Sequence, residues 1–287
     1  MSLRDLLGGT QPALEGRTEV RLEDYVDEIL ASGFPGLRGL SGRALRSQLD
    51  GYIERIVDRD FDDMGHRVRR PEALLGWMRA YAAASSTIAS YEKIRDAATS
   101  GEVERPTRKA TGPYRAVLER LWVVDPVPAW LPTRSRLRRL SSPPKHQLVD
   151  PALAARLLGV DRGALLEARP VGPPIPRDGT LLGSLFESLV TLNVRVLAQA
   201  AEATTRHLRT AAGEHEVDLI VERSDGRIVA LEVKLARTID DADVRDLLWL
   251  RDRVGPDLLD AIVVTTGEAA YRRTDGIGVV PAALLGP

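Results

Sequence analysis

The 287-residue chain contains no cysteine, which excludes disulfides, thiol nucleophiles and Cys-ligated zinc or iron–sulfur centres. Imidazoles are few: His66, His146, His207 and His215 are too scattered for a helical His-Glu-x-x-His metal site. Lysine is scarce too, with Lys93, Lys109, Lys145 and Lys234 the only four among 40 basic residues. Arginine can neither lose its proton nor replace a compact ammonium, so each surviving lysine is a candidate for a specific role. An excess of charge is absent as well. The formal net charge of −1 leaves no global field to draw the chain onto DNA or lipid, so any nucleic-acid contact needs a local patch. There is no Gly-x-x-x-x-Gly-Lys-[Ser/Thr] sequence, hence no phosphate-cradling loop, and no ATP hydrolysis is expected of this chain. No apolar run approaches the roughly 20 residues of a membrane helix, and the N-terminus carries no basic-then-apolar signal segment. The expectation is a cytoplasmic protein without a membrane partner.

What is present reads as two kinds of chain. With 44% apolar and 28% charged residues, the composition is globular, and the length suits two domains. Leu22, Tyr25, Val26 and Ile29 recur at helical spacing, and Ser32-Gly33-Phe34-Pro35-Gly36 ends the run. Ser41 predicts an N-cap for a helix through Asp60, and Pro71 a first-turn proline for the next. Further helices are expected over 86–99, 109–124 and 153–158. Residues 126–145 hold five prolines and the bases Arg134, Arg136, Arg138, Arg139 and Lys145, while 171–179 read as a linker. Beyond it the order is α-β-β-β-α-β-β: a helix 181–201, strands 204–210, 216–222 and 227–235, a helix 241–254, and strands 260–266 and 277–280.

The hairpin 216–235 carries the chemistry. Arg223-Ser224-Asp225-Gly226 is a turn signal, and a hairpin centred on Asp225 sets Asp218 opposite Glu232. Alternation places Val217, Leu219 and Val221 on one face with Val229, Leu231 and Val233. Asp218, Glu232 and Lys234 then share the other face beside Ile220, Ile228 and Ala230. Directly opposed like charges disfavour a hairpin, and a divalent cation between the carboxylates would remove the repulsion. Mg²⁺ or Mn²⁺ suits such oxygen ligands. Glu187 lies among apolar neighbours on the preceding helix.

Glu187, Asp218 and the pair Glu232-x-Lys234 on an α-β-β-β-α-β frame resemble the PD-(D/E)XK nuclease superfamily, with Val217 where a proline is common. The resemblance implies that Glu187, Asp218 and Glu232 bind Mg²⁺ or Mn²⁺, and that Asp218, Glu232 and Lys234 form the catalytic set, Lys234 orienting or activating a water. Upstream, Tyr25…Ile29-Leu30-Ala31-Ser32-Gly33-Phe34-Pro35, Arg59-Asp60, Thr111-Gly112-Pro113-Tyr114, Pro128-Ala129-Trp130, Pro144-Lys145…Asp150-Pro151-Ala152-Leu153 and Gly213-x-His215-Glu216-Val217-Asp218 are similar, in order, to a prokaryotic AAA-type ATPase family. In that family the ATPase module is followed by a "domain of unknown function 4143" region. The resemblance covers about residues 22–265 and implies the C-terminal portion without the ATPase module, with Ser2–Leu7 similar to that module's tail.

The expected fold class is α+β: a helical N-terminal half with a winged-helix-like module, then an α/β PD-(D/E)XK nuclease-like domain. The expected segments are 1–70 (helical), 71–130 (winged-helix-like), 131–178 (basic, proline-rich connection) and 179–287 (nuclease-like). Arg108, Lys109 and Arg115, with Arg120, could face a DNA groove, and Arg134, Arg136, Arg138 and Arg139 could grip phosphates. A packing module and a solvated connection are the plainer alternatives. His207 and His215 could assist proton transfer, although strand-end histidines commonly face solvent. Two functions follow: Mg²⁺-dependent DNA phosphodiester hydrolysis, or a catalytically inactive DNA- or protein-binding regulatory module. An ATPase module or another protein is the expected partner. The helix 241–254 has neither the Gln nor the Tyr found after the site in many nucleic-acid-cleaving members, which weighs toward the second function.

Overall fold

The computed structural model describes residues 1–98, 108–131, 143–168, 171–175, 179–210 and 213–287, with the backbone alone at 108–110. The chain is mixed α/β and divides into two compact units. One comprises Met1–Tyr25, Val127–Pro144 and Leu189–Pro287, the other Val26–Pro126 and Lys145–Ser188.

The first, the sheet unit, is built on a seven-stranded mixed sheet of order β1-β6-β7-β5-β4-β3-β2. Its strands are β1 (Gly16–Arg17), β2 (Thr204–Arg209), β3 (Glu216–Glu222), β4 (Ile228–Lys234), β5 (Leu258–Thr265), β6 (Ala269–Arg272) and β7 (Gly278–Pro281). The β4–β5 and β5–β7 pairs are parallel and the others antiparallel. Ile220, Ile228, Ala230, Ala261, Val263 and Val279 pack against Val244, Leu247 and Leu250 of or beside helix Arg245–Val254. Val217, Leu219, Val221, Val229 and Leu231 are fully buried as well. Parallel strands covered on both faces read as nearly continuous apolar runs, and the Asp-Ala-Ile-Val-Val-Thr-Thr stretch from Asp260 does so.

Residues 1–20, weakly periodic in sequence, take defined places in this unit. Helix α1 (Leu3–Gly8) buries Leu3, Leu6 and Leu7, with Ser2 as its N-cap and Gly9 closing it in the left-handed conformation. Met1 and Leu3 hydrogen-bond the chain end at Leu284 and Gly286, and β1 extends the sheet edge beyond β6. A Cβ at Gly278 would collide with Leu14 and Ile262, so glycine there permits the close approach.

The second, helical unit holds α3 (Gly42–Arg55), α4 (Pro71–Ala83), α5 (Tyr91–Ala97), α6 (Arg108–Arg120), α7 (Pro151–Leu158) and α8 (Arg162–Leu166), with α2 (Leu22–Leu30) leading into it. Pro71 opens α4 as expected. Ser41 precedes α3 in extended conformation but makes no side-chain cap, and the helix passes into a π-helical segment at Ile56–Asp60. Trp77 stacks on Tyr81 at 5.2 Å between ring centres, and Phe61 and Trp77 both meet the edge of Tyr114.

Asp150 ties distant segments of this unit together. Its carboxylate accepts from the Ala152 N–H (2.8 Å), capping α7, and also from the Ser32 hydroxyl and the Gly33 N–H (3.1 Å). The turn after α2 is therefore organised by a buried carboxylate 118 residues away. Burial pushes that carboxyl group's pKa up, while those hydrogen bonds pull it down.

His146, 1% exposed, lies edge-on between Tyr81 and Tyr91. Its Nε2 is 2.7 Å from the Ala89 carbonyl and its Nδ1 3.2 Å from the Tyr81 hydroxyl. A carbonyl only accepts, so Nε2 carries the proton and Nδ1 accepts from Tyr81. Burial pushes this imidazole down to about 4.

Helix α9 (Leu181–Ala200) runs from the helical unit into the sheet unit. By length and composition it could cross a membrane, contrary to expectation from the sequence, but 56% of its most apolar window is buried. That burial is compatible with a core helix of a soluble protein.

Asp150→Ala leaves three donors unpaired and is expected to lower unfolding free energy by about 2–4 kcal/mol in urea melts. His146 is neutral when folded but titrates near its ordinary value when unfolded, so protons favour the unfolded chain as pH falls below 6.5. This residue is expected to remove about 2 kcal/mol of stability between pH 7 and pH 5, a slope that should flatten in His146→Gln.

Candidate functional site

The β3–β4 hairpin turns at Arg223–Arg227. Gly226 takes a positive φ of 86°, and the Asp225 carboxylate accepts from the Arg227 backbone and side chain. The register pairs Leu219 with Leu231, Ile220 with Ala230 and Val221 with Val229, a ladder centred on Asp225 as the sequence predicts. It ends at Leu219, one residue before Asp218. There the Asp218 carboxylate Oδ2 accepts the Val233 N–H at 2.8 Å, so the acid side chain replaces a backbone acceptor at the end of the hairpin.

A β-bulge on the other side of β3 adds to this. Between the pairs Arg206–Ile220 and Leu208–Val217, His207 alone faces both Asp218 and Leu219. The extra residue breaks the alternation, so Val217 joins the core cluster of Ile220 and Ala230 instead of sharing a face with Leu219. Such bulges re-aim side chains and terminate pairing. The face carrying Ile220, Ile228 and Ala230 packs against Val244, Leu247 and Leu250, and Asp218 and Glu232 are each only 8% exposed.

Lys234 Nζ pairs with Glu232 Oε1 at 2.9 Å, and the lysine side chain keeps a third of its surface exposed. Burial pulls the ammonium's pKa down, but Glu232, Asp218 and Asp243 together hold it above the ordinary lysine value. Two carboxylates, one ammonium and a third acid therefore act on one another at the ends of β3 and β4. Asp243 carries no motif signal, and only the fold brings it within electrostatic reach.

Beside this group, His215 Nδ1 lies 2.8 Å from Asp246 Oδ1, and its ring stacks on Trp249 at 4.0 Å and 14°. Burial pushes the Asp246 carboxyl's pKa up, but His215, Arg245 and the Glu216 backbone outweigh it and hold it low. Asp246 was not legible as a partner because it lies 31 residues from His215. His207 is 1% exposed, with Nε2 3.1 Å from the Pro143 carbonyl, so it is a buried element of the fold rather than a solvent-facing histidine.

Glu187 lies in the helical unit, where its Oε1 is 2.9 Å from Lys145 Nζ. Lys145, read from sequence as part of a basic connection, is 1% exposed and unavailable to a phosphate. Arg115 lies over the Tyr91 ring at 4.4 Å and pairs with Glu119 at 2.6 Å, both within the helical unit. Side chains of Arg108 and Lys109, and the whole of Arg134, Arg136, Arg138 and Arg139, lie outside the described residues. Among the described residues, no three His, Asp or Glu side chains form a group that could hold a metal ion.

Two family models match the chain. Residues 22–163 match a domain of unknown function (DUF8612), and residues 182–285 match a domain of unknown function (DUF4143). The sheet unit's hairpin, with Asp218, Glu232 and Lys234, lies in the second match. The Tyr25–Pro35 and Pro144–Leu153 sequences lie in the first, so the resemblance read across residues 22–265 is divided between two models. No curated protein and no solved structure matches.

Lys145→Met removes the cation facing Glu187. Removing the cation of a nearly buried ion pair is destabilising, and because Glu187 is 14% exposed, a loss of about 2–3 kcal/mol is expected in thermal or urea unfolding. Adding Glu187→Gln should restore part of it.

Proposed function

We propose that the sheet unit is a PD-(D/E)XK-type module acting on nucleic acid by divalent-cation-dependent phosphodiester hydrolysis. The observation that carries this reading is the grouping of two nearly buried carboxylates, Asp218 and Glu232, around the partly exposed Lys234. The α-β-β-β-α-β order from α9 through β5, with β4 and β5 parallel, supports it, as does the family resemblance of the motif residues. The two carboxylates are hard oxygen donors of the kind that suit Mg²⁺ or Mn²⁺ with water completing the shell. Asp218 and Glu232 would hold the ion. Glu187, paired with Lys145, is left out of the ligand set.

A bound ion of this kind supplies charge neutralisation for the phosphate and a more acidic water. Lys234 is kept protonated by its acid neighbours, so it donates hydrogen bonds to a water or a phosphate oxygen and does not serve as the base. Asp218 also fixes the Val233 N–H, which positions the strand segment between Glu232 and Lys234. An ATPase module or another protein is the proposed partner, since the 287 residues hold no phosphate-binding loop.

One observation favours a second reading. Lys234 already neutralises Glu232, and Asp218 already serves the hairpin, so the group has a structural role without any ion. The chain would then be a catalytically inactive regulatory module that binds DNA or protein.

Calorimetric titration with Mn²⁺ separates the two. The hydrolytic reading expects one site in the wild type, lost in Asp218→Asn, whose amide oxygen can still accept from Val233. Lys234→Ala should retain the fold and Mn²⁺ binding while abolishing cleavage of plasmid DNA. Absence of Mn²⁺ binding in the wild type would overturn it and leave the regulatory reading.

A further inference from the structure

Hydrolysis of a phosphodiester requires a group that accepts a proton from the attacking water. Lys234 is held protonated, and Asp218 and Glu232 are assigned to the ion. His215 has the form of the missing group. Its Nδ1 lies 2.8 Å from Asp246 Oδ1. A carboxylate only accepts, so in the neutral ring Nδ1 carries the proton and Nε2 presents its lone pair. The ring is fixed by that hydrogen bond and by its stack on Trp249 at 4.0 Å and 14°. Nε2 is open to water: it has no partner among the described residues, it is not enclosed, and the side chain keeps 24% of its surface exposed.

The ring also stands on the side of the sheet that Lys234 occupies. Val217, Ile228 and Ala230 all pack with Leu247 and Leu250. Alternation from Val217 puts His215 on that face, and alternation from Ala230 puts Glu232 and Lys234 there. Helix Arg245–Val254 agrees: its Asp246 and Trp249 meet His215, and Asp243, just ahead of it, acts on Lys234. His215 and Lys234 lie at matching ends of neighbouring strands, away from the turn at Arg223–Arg227. The bulge opposite His207 makes this possible. Without the inserted residue, His215 would follow Leu219 onto the other face.

We propose that His215 is the general base of the sheet unit's hydrolytic site, with Asp246 as its positioning residue. This role rests on the hydrolytic reading above. His215 Nε2 takes one proton from the attacking water, whose oxygen forms the new bond to phosphorus. The bond from phosphorus to the leaving alkoxide breaks, solvent protonates the alkoxide, and the imidazolium returns its proton to solvent. The charged groups on the elements packed against the ring are Lys234 of β4, Arg209 of β2 (paired with Glu216), and, of or beside the helix, Asp243, Asp246, its 3.4 Å partner Arg245, and Arg253 over Trp249.

The test is the rate of plasmid DNA cleavage with Mg²⁺ across about pH 5.5 to 8.5, the range in which an imidazole changes charge. The wild-type rate should fall on acidification as the base is protonated. His215→Gln should lower the rate by about 10²- to 10⁴-fold and remove that acid limb, with Mn²⁺ affinity by calorimetry unchanged. Asp246→Asn gives the same answer while keeping the ring. Its amide can donate to Nδ1, which shifts the ring proton to Nε2, so the rate should drop with KM and the fold retained. A His215→Gln variant that cleaves at the wild-type rate, or keeps the acid limb, overturns the base and leaves the hydrolytic reading standing. A wild type that cleaves no DNA overturns that reading and this role with it.

Discussion

The organisation of the sheet unit depends on the register of one hairpin. Asp225 and Gly226 fix the turn, and pairing outward from it sets Leu219 against Leu231 and leaves Asp218 at the first position beyond the ladder. Because side chains alternate, a slip of one residue would exchange the two faces. It would send Ile220 and Ala230 away from Leu247 and Leu250, and would separate Asp218 from the Val233 N–H. Core burial and the placement of the acids therefore require the same register. The motif residues need no independent positioning device, since any sequence that packs this core carries them along.

That economy has an electrostatic consequence. Helix Arg245–Val254 packs on the face that carries Ile220 and Ala230, and the carboxylates of Asp218 and Glu232 are almost enclosed. Enclosed carboxylates require compensation by hydrogen bonds or opposite charge. The Val233 N–H supplies one and Lys234 the other. The lysine in turn is kept cationic by the acids around it. Arginine could provide the charge but is bulkier and planar, which accounts physically for one of the few lysines in an arginine-rich chain residing here.

Much of this was legible from local pattern. Helices at Pro71 and Leu181, the three strands after residue 204 and the hairpin centre all follow from periodicity and turn chemistry. The α-helical and strand elements at Leu3–Gly8, Gly16–Arg17 and Ala269–Arg272 were not expected. They are short and make sense only once the chain ends meet, as Leu3 does with Gly286. The bulge opposite His207 was also beyond reach, since an inserted residue leaves no mark in the sequence of the strand Glu216–Glu222. Lys145 misled for a related reason: proximity in sequence to four arginines suggested a solvated basic run, while its partner Glu187 lies 42 residues away. Long-range pairs carry no periodic signal, which is why Asp243 and Asp246 were likewise absent from the sequence reading.

Asp150 indicates how a signature sequence can be explained by structure. The Ser32-Gly33-Phe34 sequence could be taken for a binding loop, yet the Asp150 carboxylate accepts from Ser32 and Gly33 while capping α7. The polar groups that make the sequence look like a binding loop are engaged in folding. Asp218, Glu232 and Lys234 are tied to the fold in the same way: the Val233 N–H answers the Asp218 carboxylate and the Lys234 ammonium answers Glu232, so the side chains on which the proposed hydrolysis rests are also the ones that close the end of the hairpin.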